Sequence, residues 1–242
     1  MTAHRIRMFA GPNGSGKSTI KEILTSERLG VYVNPDDIEQ LWRHTGFLDF
    51  SSFQLSVEAE GVLGFFKKSA LLENAGLSDT VSHLRVENNR LHLDSSKVNS
   101  YFASVASDFI RHELLKNKID FTFETVMSSA DKLDFLRRAK EDGARVYLYY
   151  IATGDPEINV SRVEYRVKSN GHSVPVDKIK SRYYRSLDQL LGAVSLSDRA
   201  YIFDNSGQER AWVAEITDGA ELEYKTDVVP AWFEEYVLNK LV

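Results

Sequence analysis

The sequence predicts an α/β protein in which a mainly parallel sheet lies between two layers of helices. Short apolar runs alternate with amphipathic segments, and the first apolar run ends in a glycine-rich loop. The composition, 43% hydrophobic and 27% charged over 242 residues, can fill one full core,. We therefore predict a single domain over residues 1–242.

The order of the elements follows from the spacing of apolar residues and from the residues that interrupt it. The predicted strands are residues 6–10, 31–34, 120–125, 146–152 and 201–204. The predicted helices are residues 18–26, 38–43, 53–72, 96–115 with Ser96 as its cap, 133–141 and 178–191. Residues 212–242 are predicted to add a small hairpin and a final helix from Pro230.

One stretch interrupts the alternation of strand and helix. Residues 81–93 alternate apolar and polar side chains about Asn88-Asn89, a pair that tolerates the positive φ angles of a tight turn,. We interpret this stretch as an inserted β-hairpin, with the insertion spanning about residues 76–95.

The glycine-rich loop matches the pattern G-x-x-x-x-G-K-[ST] at every fixed position and lies between a predicted strand and a predicted helix,. Its residues are Gly11, Pro12, Asn13, Gly14, Ser15, Gly16, Lys17 and Ser18, followed by Thr19. Backbone N–H groups of such a loop face phosphate oxygens, and the lysine reaches the β and γ phosphates. We therefore predict a P-loop NTPase that binds ATP through these residues and Mg²⁺ through the Ser18 hydroxyl.

Asp36 is the predicted catalytic base. It follows the second strand in Asn34-Pro35-Asp36-Asp37, and open α/β sheets bind ligands at the carboxyl ends of their strands,. Phosphoryl transfer to a hydroxyl needs a carboxylate that accepts the proton. The alternative is that Asp36 and Asp37 only cap the following helix.

Glu124 and Thr125 end the strand at residues 120–125. A carboxylate on so apolar a strand needs a partner, because an unpaired buried charge is costly. The partner could be Mg²⁺ through water or the hydroxyls of the acceptor, with Thr125 beside it. A structural ion pair is the alternative.

A basic segment contrasts with the formal net charge of −5. Residues 162–185 contain seven Lys or Arg and two acidic residues, which suits a small polyanion,. Arg162 and Arg166 are four residues apart on a predicted helix and share one face, so both could reach ATP. A solvated basic surface is the alternative for either arginine, and His172 alone is weak evidence.

In this order, the motifs resemble the zeta toxin-like P-loop kinases. The resemblance rests on the phosphate loop and Asn34-Pro35-Asp36, on Phe123-Glu124-Thr125, and on residues 162–175 with Gly171-His172, and it extends to residues 182–187. It implies an adenylate-kinase-like core that uses ATP to phosphorylate a hydroxyl of a nucleotide sugar such as UDP-N-acetylglucosamine. It also implies a bacterial toxin neutralised by a small antitoxin protein.

The resemblance assigns roles residue by residue. Lys17 holds ATP, Asp36 is the base, Arg162 steadies the transferred phosphate, and Glu124 and Thr125 contact the acceptor. The chain departs from the family where His172 replaces a second phosphate-binding arginine, and where the interval between Asp36 and Glu124 is longer than expected. We predict that the hairpin in this interval changes the acceptor or docks a partner.

Two other classes of function stay open from the sequence: a switch or motor ATPase without a phosphorylated acceptor, and an inactive binding module. Residues 204–206 have two interpretations, an approach to adenine or a simple turn,. The lack of cysteine excludes thiolate metal sites and cysteine nucleophiles,. The acidic net charge argues against nucleic-acid binding, and the lack of a long apolar run predicts a cytoplasmic protein without a membrane span.

Overall fold

The computed structural model describes residues 3–168 and 173–240. Within these ranges the strands are β1 (Arg5–Ala10), β2 (Val31–Val33), β3 (Phe47–Asp49), β4 (Arg85–Glu87), β5 (Arg90–His92), β6 (Phe121–Thr125), β7 (Arg145–Ala152), β8 (Arg199–Asp204), β9 (Ala211–Thr217) and β10 (Glu221–Tyr224). The α-helices are α1 (Ser26–Leu29), α2 (Pro35–Thr45), α3 (Ala59–Lys67), α4 (Ala70–Asn74), α5 (Ser78–Val81), α6 (Ser100–Lys116), α7 (Asp131–Glu141), α8 (Pro156–Lys168), α9 (Val176–Asp188), α10 (Leu190–Ser195) and α11 (Ala231–Tyr236). Short 3₁₀ helices cover Lys17–Ile23, Phe50–Phe53 and Leu238–Lys240.

The chain forms two compact units. Unit 1 consists of the residues up to Leu29 and those from Glu124 onward, and unit 2 consists of Gly30–Phe123. The boundary falls within β6, so that Glu124 and Thr125 belong to unit 1. The interpretation of residues 1–242 as one domain stays a prediction.

Unit 1 is built on strands in the order β10-β9-β8-β7-β1. The pairs β1–β7 and β7–β8 are parallel, whereas β8–β9 and β9–β10 are antiparallel. The three parallel strands are buried along most of their length, with fully buried side chains that include Ile6, Leu148 and Ile202. The sheet and its flanking helices confirm the predicted α/β fold class, and the predicted C-terminal hairpin is β9–β10.

Unit 2 packs α2 and α6 beside the parallel strand pair β2–β6. Trp42 is fully buried, with its ring centroid 6.4 Å from that of Phe66 and 6.5 Å from that of Phe102. Edge-to-face aromatic contacts of this kind add to the free energy gained by burial. This cluster is the core of unit 2.

The predicted hairpin is confirmed as β4–β5, with Asn88 at φ 51° and Asn89 at φ 62° in its turn. Two positive φ angles in succession match the tight turn expected of this pair. The structure adds that β5 also pairs with β3, which forms a three-stranded sheet. Leu84 and Leu91 are buried, so the hairpin contributes to the core of unit 2.

Two predicted helices are wrong. Residues 53–72 do not form one helix: Gln54 has φ 59°, α3 begins only at Ala59, and the Ser69 side chain accepts from Leu72 N to start α4. Residues 18–26 form no α-helix either, because i to i+3 bonds such as Thr19 N to Gly16 O (3.2 Å) produce a 3₁₀ helix,.

Other predicted helices differ only at their ends. Helix α6 begins at Ser100, because the Asn99 side chain accepts from Tyr101 N and Phe102 N. Ser96 is not the cap, since its N–H and hydroxyl donate to the Asp94 carboxylate in a local turn. The helix predicted at residues 178–191 divides into α9 and α10 at Gln189.

In the described part of the chain, no helix combines the length and the apolar composition that crossing a membrane requires.

Candidate active site

The phosphate loop connects β1 to the 3₁₀ helix Lys17–Ile23 and has positive φ angles at Gly11 (144°), Gly14 (75°) and Gly16 (97°). A Cβ at Gly11 would lie 2.0 Å from Ile151 O, and one at Gly14 would lie 2.6 Å from Asn159 O. Only glycine combines these angles with so close an approach. The glycines at positions 11 and 14 therefore have a steric cause in this fold.

Lys17 lies over its own loop and donates from Nζ to Gly11 O (2.8 Å) and to Pro12 O (2.9 Å). The loop is closed further by the bond from Ser15 N to Pro12 O (3.3 Å). The ammonium group is thus already on the concave side of the loop. Because the following helix is a short 3₁₀ helix, backbone N–H groups and Lys17 would contribute more to anion binding here than a helix dipole,.

Asn159 on α8 holds the first half of the loop. It is fully buried, donates from Nδ2 to Asn13 O (2.6 Å) and accepts at Oδ1 from the Thr153 hydroxyl. Tyr183 on α9 donates its phenol to Thr153 O (2.6 Å). Burial raises the pKa of Tyr183, which keeps the phenol a neutral donor at physiological pH,. The chain of bonds therefore joins α9, the end of β7 and α8 to the loop.

Asn205 holds the second half of the loop. It follows β8, and its Nδ2 donates to Ser15 O (2.8 Å). The neighbouring Asp204 carboxylate accepts from Ser206 N, from the Ser206 hydroxyl and from Trp232 Nε1. Residues 204–206 therefore form a turn, which was one of the two interpretations of the sequence. Through Asn205, this turn also supports the phosphate loop.

Ser18 and Glu124 come together at the end of the loop, with the Ser18 hydroxyl 3.5 Å from Glu124 Oε2. Glu124 is buried at the end of β6. Both side chains offer oxygen atoms, the ligands that Mg²⁺ prefers. In the described residues there is no group of three or more His, Cys, Asp or Glu arranged to hold a metal ion. The two oxygens thus fit part of a Mg²⁺ site, which phosphate oxygens and water would have to complete,.

Thr125 follows Glu124 and accepts at Oγ1 from Met127 N (3.0 Å), in a turn where Met127 has φ 53°. The hydroxyl hydrogen of Thr125 is not used in this bond. Thr125 therefore shapes the end of β6 and retains a donor.

Arg162 lies one turn after Asn159 on α8 and donates from Nη2 to Gly207 O (3.3 Å). Its other terminal nitrogen, Nη1, is buried and has no hydrogen-bond partner in the described residues. A buried unpaired guanidinium nitrogen is costly and indicates a ligand. Arg166 is exposed one turn further along α8. The predicted Gly171 and His172 lie outside the described residues.

Asp36 is exposed in the first turn of α2, in unit 2. The cap of this helix is Asn34, whose side chain accepts from Asp36 N (3.0 Å). The alternative in which Asp36 serves as the cap is therefore wrong, and its carboxylate is left for another role.

Sequence reasoning missed three of the residues that support the loop: Thr153, Asn159 and Tyr183. A weak signal was present, since Thr153 follows a fully apolar strand and Asn159 is polar on the same face of α8 as the buried Val163. Arg210 was also missed. It donates from Nη1 to Thr19 Oγ1 (2.9 Å).

A parallel sheet with a G-x-x-x-x-G-K-[ST] loop after its first strand defines the P-loop class of α/β proteins. Within this class, the family model described as Zeta toxin matches residues 84–216, which is more than half of the chain. The chain belongs to the zeta toxin family. The matched region includes Glu124 and Arg162 and begins after the phosphate loop.

An uncharacterized protein of Haemophilus influenzae is 39% identical over 72 residues, which cover 30% of this chain and 51% of that protein. Solved structures of AvrRxo1-ORF1:AvrRxo1-ORF2 are also similar. The structure with sulphate ions has a TM-score of 0.53 at 16% identity, covering 93% of this chain and 62% of the matched chain. The structure with ATP has a TM-score of 0.52 at 16% identity, covering 92% of this chain and 61% of the matched chain. The chain thus spans about half of its curated relative and under two thirds of these solved chains, and the likeness establishes the fold.

Proposed function

We propose that this protein is an ATP-dependent kinase that transfers the γ-phosphoryl group to a hydroxyl of a small molecule. The observation that carries the proposal is the juxtaposition of Lys17, Ser18 and the buried Glu124 around a loop with three positive-φ glycines. Membership of the zeta toxin family and the ATP complex of a similar fold support it.

The loop would bind the nucleotide through its backbone and Lys17. Residues 11–19 would surround the α and β phosphates with N–H groups, while the Lys17 ammonium exchanges two loop carbonyls for β and γ oxygens,. The exchange keeps the ammonium hydrogen-bonded in both states, so no buried charge is left unpaired.

Mg²⁺ would be held by the Ser18 hydroxyl directly and by Glu124, through water or directly,. When bound, the ion offsets negative charge on the β and γ phosphates.

Arg162 would stabilise the transferred phosphoryl group. Its buried Nη1 lacks a partner among the described residues, while Nη2 fixes the guanidinium through Gly207 O. A guanidinium in this role is worth about 10³ to 10⁵ in rate in other phosphoryl-transfer enzymes. Arg166 and His172 are further candidates for binding ATP.

Asp36 would act as the base. The acceptor oxygen forms a bond to the γ-phosphorus, the bond from that phosphorus to the β–γ bridging oxygen breaks, and ADP leaves. The acceptor proton passes to the Asp36 carboxylate. The exposed carboxylate, with Asn34 as the helix cap, supports this role. Glu124 and Thr125 would contact the acceptor.

From the resemblance to the zeta toxin-like kinases, we propose that the acceptor is a nucleotide sugar such as UDP-N-acetylglucosamine. We also propose that the protein is the toxin of a toxin–antitoxin pair and acts in the cytoplasm. The family description, Zeta toxin, supports the proposed toxin. The proposed nucleotide sugar rests on the resemblance of the sequence motifs. The solved structures of similar fold include AvrRxo1-ORF1:AvrRxo1-ORF2.

Mass spectrometry of a metabolite extract incubated with the protein and ATP tests the proposal. We expect a metabolite to gain about 80 Da, the mass of HPO₃, with wild-type protein and not with Lys17→Ala. Lys140→Ala, which changes an exposed lysine on α7, is the matched control and should retain the product. Rapid ATP hydrolysis without any phosphorylated metabolite would contradict the kinase and favour a switch or motor ATPase.

A further inference from the structure

The segment 205–210 contacts the phosphate loop and its flanks at three points. Asn205 Nδ2 donates to Ser15 O (2.8 Å), Gly207 O accepts from Arg162 Nη2 (3.3 Å), and Arg210 Nη1 donates to Thr19 Oγ1 (2.9 Å). The first two contacts support the loop and Arg162. The third places a cation beside the loop, and the proposed reaction does not yet use it.

Arg210 is held in a defined position. Its guanidinium carbon lies 5.6 Å from the centroid of the Phe203 ring, and the Thr19 hydroxyl that accepts from it donates in turn to Gly16 O (2.8 Å). The side chain is half-buried. A guanidinium has five N–H donors in a rigid fork, so the bond to Thr19 leaves donors for a ligand.

The charge of Arg210 is not balanced by a neighbouring acid. Within residues 3–168 and 173–240 it forms no ion pair, and the nearby Asp204 carboxylate already accepts from Ser206 and Trp232. Positive charge next to an anion-binding loop raises the local concentration of anions. Arg210 therefore suits a phosphate group rather than a protein carboxylate.

The order of residues along the loop indicates which phosphate. Lys17 and Ser18 serve the β and γ phosphates and Mg²⁺, while loop amides cradle the α and β phosphates. Thr19 follows Ser18, and Arg210 donates to the Thr19 hydroxyl, whereas Lys17 donates to Gly11 O and Pro12 O. This position corresponds to the α-phosphate end of the nucleotide.

We infer that Arg210 binds the α-phosphate of ATP and fixes the nucleotide along the loop, an inference that rests on the proposed function. Its planar fork can donate two hydrogen bonds to phosphate oxygens. Thr19 and Phe203 orient the guanidinium group of Arg210.

Calorimetric titration of ATP, ADP, AMP and adenosine into wild-type protein, Arg210→Gln and Arg210→Lys tests the inference. Arg210→Gln should weaken ATP, ADP and AMP binding by the same factor, about 10- to 100-fold, because all three nucleotides carry the α-phosphate. Unchanged AMP binding would assign Arg210 to the β- or γ-phosphate and overturn the inference. Adenosine, which lacks phosphate, should bind equally to wild-type protein and to Arg210→Gln. Arg210→Lys should recover part of the affinity, since it keeps the charge and loses the fork.

The matched control is Arg137→Gln, which changes an exposed arginine on α7 that pairs with Asp134, and it should bind as wild type. A loss for ATP alone would assign Arg210 to the γ-phosphate, and an equal loss for adenosine would assign it to the nucleoside; either result overturns the inference. Unchanged ATP affinity in Arg210→Gln overturns it as well and leaves the proposed kinase standing. Absence of ATP binding by wild-type protein would overturn the proposed function itself.

Discussion

The phosphate loop of unit 1 and the hairpin turn of unit 2 are both tight turns with positive φ angles, but different partners hold them. The loop is held by Asn159 and Asn205, which are 146 and 190 residues away from their bonding partners in the chain. The hairpin turn is held by Asn89, whose partners Ser51, Leu55 and Val57 are 32 to 38 residues away. The loop therefore depends on the whole sheet of unit 1, whereas the turn depends on a nearby segment.

The first prediction contrasts one glycine from each unit. Gly11→Ala should lower the free energy of unfolding by about 3 kcal/mol or more and abolish ATP binding, because its Cβ would lie 2.0 Å from Ile151 O at a positive φ,. Gly61→Ala on α3 should raise the free energy of unfolding by about 0.5–1 kcal/mol, since the added Cβ meets no atom within 4 Å and alanine has the higher helix propensity,. Chemical denaturation and ATP titration measure both. Equal effects of the two changes would show that the loop backbone is not sterically constrained.

The second prediction concerns the distant support of the loop. Asn159→Ala leaves Asn13 O without its partner and leaves the Thr153 hydroxyl only the Asp155 carbonyl (3.2 Å), so the unsatisfied Asn13 carbonyl should cost about 1–3 kcal/mol,. We expect an increase in the KM for ATP of about 10- to 100-fold, because part of that free energy is lost from nucleotide binding.

Steady-state kinetics and thermal denaturation together check this prediction. Asn117→Ala is the control, since Asn117 donates to Glu113 O at the exposed end of α6. A variant of Asn159 that loses stability but keeps the KM of wild type would contradict the role of this residue in positioning the loop.

The third prediction separates backbone from side chain in the hairpin turn. Asn89→Gly keeps a residue that accepts φ 62° but removes the bonds to Val57 N, Ser51 Oγ and Leu55 O. It should lower the free energy of unfolding by about 1–2 kcal/mol and leave the KM for ATP unchanged.

Asn88→Gly is the matched control for this change, because Asn88 is exposed and also has a positive φ. It should be neutral in urea denaturation. Should Asn89→Gly alter ATP binding, the turn would not be independent of the phosphate loop.

The smallest effect is expected at the ion pair beside the turn. The hydrogen bond from Arg90 holds the pKa of Asp49 below its usual value, with the Ser51 N–H contributing. A depressed carboxyl pKa contributes stability above the unfolded pKa of about 3.9, and this contribution is lost as pH falls through the folded pKa.

Asp49→Asn keeps an acceptor for Ser51 N and loses the ion pair, so it should cost up to about 1 kcal/mol near pH 7, and this cost should shrink as the pH falls below about 3.9,. Thermal midpoints measured from pH 2 to pH 7 check this. A difference from wild type that is the same throughout this range would show that the charge of Asp49 is not its cause.

The contrast between the phosphate loop and the hairpin turn also explains which features could be predicted from the sequence. The loop motif, the Asn88-Asn89 turn and the strand ends at Glu124 and Asn205 depend on short stretches, and local rules found them. The breaks after Phe53 and before α4 could not be found, because the apolar spacing of residues 53–72 suits one helix and does not show the left-handed conformation of Gln54 or the cap at Ser69.

The supports of the phosphate loop could not be predicted for another reason. Thr153, Asn159 and Arg210 are ordinary polar residues until the sheet brings them to the loop, and their partners lie in distant segments. Spacing along the chain carries no signal for such contacts. The α6 cap was missed because Ser96 and Asn99 both suit a cap, and the Asp94 carboxylate decides between them.

The three tryptophans give each unit its own optical reporter. Trp42 is fully buried in unit 2, whereas Trp212 and Trp232 belong to unit 1, the latter bonded to Asp204 beside the loop. A protein carrying Trp212→Phe and Trp232→Phe retains a single fluorophore, whose emission follows the melting of unit 2. The reverse change, Trp42→Phe, confines the emission to unit 1, so nucleotide titrations and unfolding can be followed one unit at a time.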